Sequence, residues 1–191
     1  LSNLKALVIS GNQFSGKLPN VFGALTKLEV LVAHSNWFSG SLPATLALCS
    51  KLRVLDLRNN SFMGPIDLNF TGLPNLCQLD LASNRFYGPL LPNSLSNCRE
   101  LKILSLAKNE LTGQIPEDFS KLTSLLSLSL SNNSFVNLTG ALSVLQQCQN
   151  LTTLVLAKNF HGEEIPQNMS GFKSLMVFAI GSCALKGQIP G

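Results

Sequence analysis

The segment Leu101-Lys-Ile-Leu-Ser-Leu-Ala-Lys-Asn-Glu-Leu-Thr-Gly-Gln-Ile-Pro116 decides the fold, because the same pattern recurs before and after it along the chain. Apolar residues occupy Leu101, Leu104 and Leu106, and an asparagine follows at Asn109. A further apolar residue, a glycine and an Ile-Pro pair close the unit. The chain is therefore built from a repeating module.

Eight copies of this module cover nearly the whole chain, and by subtraction their first leucines are 24, 24, 24, 25, 24, 26 and 24 residues apart. This period falls within the roughly 20 to 29 residues of leucine-rich repeats. The spacing predicts one array over residues 1–191, in which each unit contacts only its neighbours. The first leucines are Leu4, Leu28, Leu52, Leu76, Leu101, Leu125, Leu151 and Leu175.

The L-x-x-L-x-L start of each copy predicts a short strand, with Leu104 and Leu106 pointing inward and Ile103, Ser105 and Ala107 outward. Stacked copies predict an α/β repeat solenoid, a right-handed arc with a concave parallel β-sheet and a convex side of 3₁₀ turns or short helices. The eight strands are expected near Leu7, Leu31, Leu55, Leu79, Leu104, Leu128, Leu154 and Phe178.

The sixth copy departs from the pattern, since it lacks the Gly-x-Ile-Pro ending and has two extra residues. Its residues Leu138, Leu142, Leu145 and Cys148 fall on one helical face, which predicts the one true α-helix of the convex side. Thr139 is a suitable cap for this helix.

Two further columns recur along the repeats, each with one exception. An asparagine after each strand can bond the backbone of its own turn and of the next repeat, and Cys183 replaces it in the last copy. Two residues later comes an apolar spine, mostly phenylalanine, which the seventh copy interrupts by placing Phe160 one position early. The asparagines are Asn12, Asn36, Asn60, Asn84, Asn109, Asn133 and Asn159.

Three of the five cysteines, Cys49, Cys98 and Cys148, lie three residues before a repeat leucine, where other copies have leucine or phenylalanine. At least one repeat separates any two of them, which is about 10 Å at roughly 5 Å per strand and too far for a disulfide. We expect free, buried thiols that replace apolar residues.

Composition and spacing argue against several functions. The net charge of +4 is spread along the chain without a basic run, which does not favour nucleic-acid binding. No apolar run approaches the roughly 18 residues of a transmembrane helix. His34 and His161 are five repeats apart with no cysteine or carboxylate cluster in their copies, and Glu163-Glu164 is interpreted as a solvated turn. We therefore expect no enzyme, metal site or cofactor in this segment.

The chain begins and ends inside repeats, because Leu1 to Leu4 matches the tail of a preceding unit and Pro190-Gly191 stops partway through one. The polar units that cap a solenoid are missing from both ends. We therefore expect a piece of a longer protein.

Six Asn-x-Ser/Thr sequons occur in the chain, and they are candidate N-glycosylation sites of a secreted protein. Asn69 and Asn168 share one repeat position on the convex side, and Asn137 lies in the sixth-copy insertion, so these three are preferred. Asn59 and Asn132 follow, and Asn150, beside a core leucine, is the weakest candidate.

The concave face is the candidate binding surface, because only the outward residues of the sheet are free of the repeat frame. One outward column, from Ser10 to Gly181, is mostly small and would let an extended peptide lie close to the sheet. Serines and valines are also what any solvated strand tolerates. The candidate ligand-binding residues are Asp56, Arg58, Gln78, Asp80, Ser105, Ser127 and Ser129, with Lys108 and Lys158 beside the column.

The frame L-x-x-L-x-L-x-x-N-x-[FL]-x-G-x-[IL]-P resembles the plant-type leucine-rich repeats of receptor-like kinase ectodomains, which the Ile/Leu-Pro ending distinguishes from other repeats. Four segments are more narrowly similar to the phytosulfokine receptors. They are Leu52-Arg-Val-Leu-Asp-Leu-Arg-Asn-Asn-Ser61, Asn69-Phe-Thr-Gly72 with Leu76-Cys77, Leu79-Asp-Leu-Ala-Ser-Asn84 and Asn159-Phe-His-Gly-Glu-Glu-Ile-Pro166.

This resemblance implies a parent at the extracellular face of the plasma membrane, with a signal peptide, repeats interrupted by an island segment, one transmembrane helix and a cytoplasmic serine/threonine kinase. It implies that a tyrosine-sulfated pentapeptide binds between the island and the concave face and recruits a somatic-embryogenesis-type co-receptor kinase. The island is not in this sequence, so position alone assigns no sulfate contact to Arg58, Lys108 or Lys158. A secreted inhibitor of a cell-wall hydrolase and a structural spacer are the alternatives.

Overall fold

Each repeat contributes one strand to a parallel sheet that runs along the whole solenoid. The computed structural model describes residues 1–189, in which the eight repeats each supply one short strand and these strands pair side by side in repeat order. The pairing is in register, so that Leu55 lies beside Leu79 and Leu104 beside Leu128. This concave sheet confirms the eight predicted strands. The inward leucines of its six central strands are buried in one core, against which Leu7 and Phe178 pack at the two ends.

A second parallel sheet, which we call the lateral sheet, was not predicted from the sequence. Its six strands follow the concave strands within the first six repeats. In chain order the strands of both sheets are β1 (Ala6–Val8), β2 (Ser15–Lys17), β3 (Val30–Val32), β4 (Trp37–Gly40), β5 (Val54–Asp56), β6 (Ser61–Gly64), β7 (Gln78–Asp80), β8 (Arg85–Pro89), β9 (Ile103–Ser105), β10 (Glu110–Gly113), β11 (Ser127–Ser129), β12 (Ser134–Phe135), β13 (Thr153–Val155) and β14 (Val177–Ala179). The concave sheet has the order β1-β3-β5-β7-β9-β11-β13-β14, and the lateral sheet has the order β12-β10-β8-β6-β4-β2.

The phenylalanine spine holds the lateral sheet in place. The rings of Phe14, Phe38, Phe62 and Phe86 stack with centroids 6.1 to 6.2 Å apart. In the seventh copy, Phe160 is still buried, at 1% exposure, because its backbone turns to a positive φ of 49°. The spine therefore continues into this copy, although the lateral sheet ends at β12.

The asparagine ladder joins each repeat to the one before it. The Asn84 amide donates to the carbonyls of Leu81 in its own turn and Leu57 in the preceding repeat, both at 3.1 Å. Its Oδ1 accepts the Phe62 N–H at 3.0 Å. In the last copy the Cys183 thiol takes over, because its Sγ accepts the Asn159 N–H at 3.5 Å. The predicted ladder is confirmed, except that its bonds between repeats reach the preceding repeat and not the next one.

The residue before each ladder position has a left-handed backbone in all eight repeats. Only the first is glycine, and a residue with a Cβ pays roughly 1–2 kcal/mol for this conformation. The ladder bonds and the core, rather than local preference, therefore set the tight turn after each concave strand. The eight residues are Gly11, Ser35, Asn59, Ser83, Lys108, Asn132, Lys158 and Ser182.

The convex side carries short helices, as expected. The 3₁₀ helices are Phe22–Ala24, Ala44–Leu48, Phe70–Gly72 and Glu117–Lys121, and the α-helix of the sixth copy, α1, spans Leu138–Leu145. Leu138, Leu142 and Leu145 are fully buried and Cys148 is 3% exposed, which confirms the predicted apolar face.

Two details at the start of α1 differ from the predictions. The cap is Asn137 and not Thr139, because a left-handed backbone at Asn137 lets its Oδ1 accept the Gly140 N–H at 3.0 Å. Glu163 is half-buried rather than solvated, and its carboxylate accepts the N–H groups of Asn137 and Leu138 at 2.8 and 2.6 Å. A carboxylate at this helix end also matches the helix dipole.

The three convex cysteines are buried and free, as predicted. The thiols of Cys49, Cys98 and Cys148 lie near the carbonyls of Phe22, Phe70 and Phe119 in the preceding repeats, at 3.5, 3.6 and 3.2 Å. Burial raises the pKa of Cys98 and of Cys148 to about 11. These groups are neutral packing residues, since the thiolate is the reactive form.

One buried carboxylate does not fit the frame. Asp118 is 6% exposed, and neither of its oxygens has a hydrogen-bond partner within residues 1–189. At the same repeat position Thr45 accepts the Phe22 N–H at 3.1 Å. The equivalent donor for Asp118 belongs to Leu95, in a copy that is one residue longer than its neighbours.

We predict that Asn84→Ala lowers the free energy of unfolding by about 1–3 kcal/mol, because it leaves buried backbone groups unpaired. The matched control is Asn97→Ala at an exposed turn position. This substitution should change the free energy of unfolding by less than about 0.5 kcal/mol. Denaturant midpoints of the two variants test this, and equal midpoints would show that the ladder does not stabilise the turn.

We also predict that Asp118→Thr raises the free energy of unfolding by about 1–2 kcal/mol, because threonine removes a buried carboxylate without a partner and replaces its two acceptor oxygens by a single hydroxyl. Glu117→Gln, an exposed neighbour, is the control and should have no effect. A lower unfolding midpoint for Asp118→Thr would contradict the assignment of Asp118 as destabilising.

Candidate functional site

The predicted polar residues come together across four neighbouring strands of the concave sheet. Asp56 and Asp80 pair in register, as do Asp80 and Ser105, and then Ser105 and Ser129. In the adjacent column Ile103 pairs with Gln78 on one side and with Ser127 on the other. Neighbouring strands lie about 4.8 Å apart, so these side chains form one surface, which we call the concave patch.

An ion-pair cluster forms one end of the concave patch. The Arg58 Nη1 lies 3.2 Å from the Asp80 carboxylate and 3.5 Å from that of Asp56. Asp56 also accepts the Arg58 backbone N–H, and Asp80 accepts the Ala82 backbone N–H. Both acids are buried, at 5% and 8% exposure, while the arginine side chain is half-exposed. One guanidinium therefore serves two carboxylates and keeps a solvent-facing edge.

The other end of the patch carries polar groups that are open to a ligand. Within residues 1–189, the side chains of Gln78, Ser105 and Ser127 make no hydrogen bond, and all three are half-buried. The Ser129 and Ser131 hydroxyls lie 3.4 Å apart. Ser131 was not among the predicted site residues, and its only sequence signal was its place in the small column.

An apolar side chain lies inside the patch. Ile103 is 42% exposed between Gln78 and Ser127, so a ligand could bury part of it. The small column borders these residues through Ala82, Ala107 and Ser131. Ala107 was predicted to point outward, but it is only 8% exposed, so its side chain does not project from the surface of the sheet.

The two lysines lie outside the patch. Lys108 and Lys158 are exposed and occupy the left-handed turn after β9 and β13. Lys158 lines a cavity of about 320 Å³ together with Phe160, His161 and Glu163, beside the end of the lateral sheet. The Lys108 N–H donates to the Ser131 carbonyl at 2.7 Å, so this lysine borders the patch, whereas Lys158 follows β13, one strand beyond it.

Residues 1–189 contain neither a metal-binding cluster nor a membrane-spanning helix. This range contains no cluster of three or more histidine, cysteine or acidic side chains that could hold a metal ion. None of its helices has both the length and the hydropathy of a membrane span. The chemistry on the concave patch is hydrogen bonding, ion pairing and apolar contact.

Burial raises the pKa of Asp56 above its usual value of 3.8, and the Arg58 N–H and guanidinium only partly oppose this. The folded protein therefore favours protonated Asp56 more than the unfolded chain does. Its contribution to stability is fully present below pH 3.8 and is lost as the pH rises through the folded pKa. At neutral pH, ionised Asp56 consequently stabilises the fold less than the protonated acid would.

We predict that Asp56→Asn raises the denaturant midpoint at neutral pH, because the amide oxygen can still accept the Arg58 N–H without a buried charge. The gain should disappear below pH 3.8, where Asp56 is protonated. Asp67→Asn, at an exposed position, is the control and should show neither effect. A midpoint that falls at neutral pH would mean that the ion pair with Arg58 outweighs the burial.

Known proteins with this architecture include plant receptors. The Leucine Rich Repeat family model matches residues 3–25, 51–73 and 100–122. The chain is 32% identical to PEPR1, solved with AtPEP1, over 98% of this chain and 26% of that one, with a TM-score of 0.90. It is 29% identical to the Arabidopsis receptor kinase HAESA, solved with the peptide hormone IDA and the co-receptor SERK1. This match covers 98% of this chain and 39% of that one, with a TM-score of 0.68.

A third similar structure is the ectodomain of the receptor kinase SOBIR1 from Arabidopsis thaliana. The identity is 38% over 66% of this chain and 69% of that chain, with a TM-score of 0.62. No curated protein matches the chain significantly. The chain spans only 26% and 39% of the two peptide-bound receptors. From its repeats, its two parallel sheets and these matches, the chain belongs to the leucine-rich-repeat family, whose members similar to it include plant receptor-kinase ectodomains.

Proposed function

We propose that this chain is part of the ligand-recognition ectodomain of a plant leucine-rich-repeat receptor kinase, and that its ligand is the sulfated pentapeptide phytosulfokine. The carrying observation is the concave patch, where Gln78, Ser105 and Ser127 leave polar groups unused beside a column of small residues. Two of the similar structures contain peptides, which supports a peptide ligand in general. The sequence segments similar to phytosulfokine receptors support the specific hormone.

The dimensions of the patch suit a short extended peptide. Five residues in extended form span at most about 17 Å. The patch runs from β5 to β11, four strands and three spacings of about 4.8 Å, or about 14 Å. A pentapeptide laid across the strands can therefore reach from the Arg58 cluster to Ser129.

Each part of the patch has a distinct role in this proposal. The small column lets the peptide backbone approach the sheet, and Gln78 and the serines bond its amide groups. Ile103 offers apolar contact, and the exposed edge of Arg58 offers a charged donor. Because the acids beneath already hold the guanidinium, Arg58 loses little side-chain freedom when a ligand binds.

The partners and the location follow from the same proposal. An island segment elsewhere in the protein would form a second wall over the peptide, and a somatic-embryogenesis-type co-receptor kinase ectodomain would join the complex. The protein would act at the extracellular face of the plasma membrane. The HAESA structure, with its peptide and SERK1, supports a co-receptor as a general partner.

We predict that calorimetry will show phytosulfokine binding to the complete ectodomain, and that Ser129→Leu will weaken this binding at least tenfold, or about 1.4 kcal/mol. Leucine at this position would fill the space above the sheet that the peptide backbone needs. The matched control is Ser143→Leu on the exposed side of α1, which should bind as tightly as the parent. Residues 1–191 alone should bind only weakly, because the peptide then has one wall instead of two.

Two outcomes would contradict the proposal in different ways. If the complete ectodomain does not bind phytosulfokine, the hormone assignment fails, and binding of a cell-wall hydrolase instead would support the secreted-inhibitor alternative. If Ser129→Leu and Ser143→Leu bind equally well, the peptide does not use the concave patch.

A further inference from the structure

Two of the six sequons, Asn69-Phe-Thr71 and Asn168-Met-Ser170, share a local geometry. In each, the asparagine Oδ1 accepts both the backbone N–H and the hydroxyl of the residue two positions later. The distances from Asn168 Oδ1 to Ser170 are 3.1 Å to the nitrogen and 2.8 Å to Oγ. Thr71 makes the same two bonds to Asn69, with the nitrogen at 3.2 Å. Both are Asx turns at one repeat position on the convex side.

The amide nitrogens of these two asparagines are open. Asn69 and Asn168 are exposed, and neither Nδ2 has a hydrogen-bond partner within residues 1–189. A sugar bonded to Nδ2 would leave the Oδ1 bonds intact. At Asn69 this preserves the cap of the 3₁₀ helix Phe70–Gly72. The folded protein therefore tolerates a glycan at both positions without losing a bond.

Three of the other sequons use the amide nitrogen to join repeats. The Asn137 Nδ2 donates to Gln114 at 2.9 Å, and the Asn150 Nδ2 donates to the Thr123 carbonyl at 2.8 Å. The Asn59 Nδ2 donates to the Ser35 hydroxyl at 3.2 Å. Each partner belongs to the preceding repeat, so a sugar on the same nitrogen would crowd a contact between repeats.

The sixth sequon, at Asn132, separates the effect of the Asx turn on glycosylation from the effect of exposure. Asn132 is exposed like Asn69, and within residues 1–189 its amide nitrogen is free. In the same part of the chain, however, it makes no Asx bond to Ser134, which lies in β12. An Asx turn spans only three residues, so it can form in the emerging chain before the repeats stack, when exposure does not yet distinguish one sequon from another.

We propose that Asn69 and Asn168 are the N-glycosylated residues of this chain. The donor is an oligosaccharide linked to a lipid pyrophosphate. A bond forms between Nδ2 and C1 of the first sugar, the bond from C1 to the pyrophosphate oxygen breaks, and the lipid pyrophosphate leaves. One Nδ2 proton passes to a base of the transferring enzyme. This inference rests on the extracellular location in the proposed function.

The positions of the two glycans have a consequence for binding. Both lie on convex turns, so the sugars project away from the concave patch and leave it open to a peptide. Glycans at Asn59 or Asn132 would instead stand at the turns that follow β5 and β11, beside Arg58 and Ser131. The proposed glycans therefore lie on the convex side and leave the concave patch uncovered.

The test is a glycan map of the complete protein purified from plant cells. Enzymatic removal of N-glycans in heavy-oxygen water converts each glycosylated asparagine to labelled aspartate, which mass spectrometry locates. We expect label at Asn69 and Asn168 in most molecules and in a small minority at the other four sequons. Because the map uses the unaltered protein, it does not depend on whether a variant folds.

Variants then confirm the assignment by gel mobility. Ser170→Ala and Thr71→Val should each remove one glycan, whereas Thr71→Ser should retain it, and Asn150→Gln should change nothing. An unlabelled Asn69 or Asn168, or heavy label at any of the other four sequons, would overturn the inference, and heavy label at Asn132 would show that exposure alone decides. Such a result with intact peptide binding counts only against this inference. The expected map without peptide binding counts only against the proposed function.

Discussion

The constraint on which this structure depends is that every repeat must satisfy the backbone groups of a tight turn that it cannot satisfy alone. A parallel strand followed by a left-handed residue leaves carbonyls and an N–H without partners inside the solenoid. One asparagine side chain meets three of these groups at once. At Asn84 it binds the Leu81 carbonyl of its own turn, the Leu57 carbonyl of the previous repeat and the Phe62 N–H. Because the bonds cross between repeats, the turn and the stack form together.

The residues that stabilise the stack and the residues that can bind a ligand are different ones. The leucines, the ladder and the spine are committed to the frame, and their substitution would disturb two repeats. The exposed outward residues of the concave strands lie outside this frame, so they can change with little effect on the stacking of the repeats. The two ends of the concave patch differ in how many of their polar groups are already paired. Its acidic end is internally paired through Arg58, whereas the end around Ser127 is left for a ligand.

The irregular repeats show how neighbouring copies compensate for local departures. The sixth copy replaces the usual convex turn by α1, and Glu163 of the next copy binds the two N–H groups at its start. The seventh copy moves its aromatic residue forward, and a left-handed backbone at Phe160 returns the ring to the spine. Asp118 is the opposite case, since its neighbouring copy is one residue longer and provides no donor to its carboxylate within residues 1–189.

The sequence by itself determined the period, the eight concave strands, the ladder, the buried cysteines and the apolar face of α1, because each depends on residue types that recur at a set spacing. It also placed Asp56, Gln78, Asp80 and the serines on one face. Only the tertiary structure decided the lateral sheet, the capping role of Glu163, the pairing of Arg58 with two acids and the separation of Lys158 from the patch. The physical reason is that these features depend on contacts between repeats. The two partners lie more than twenty residues apart, so the residue spacing within one repeat does not predict the contact.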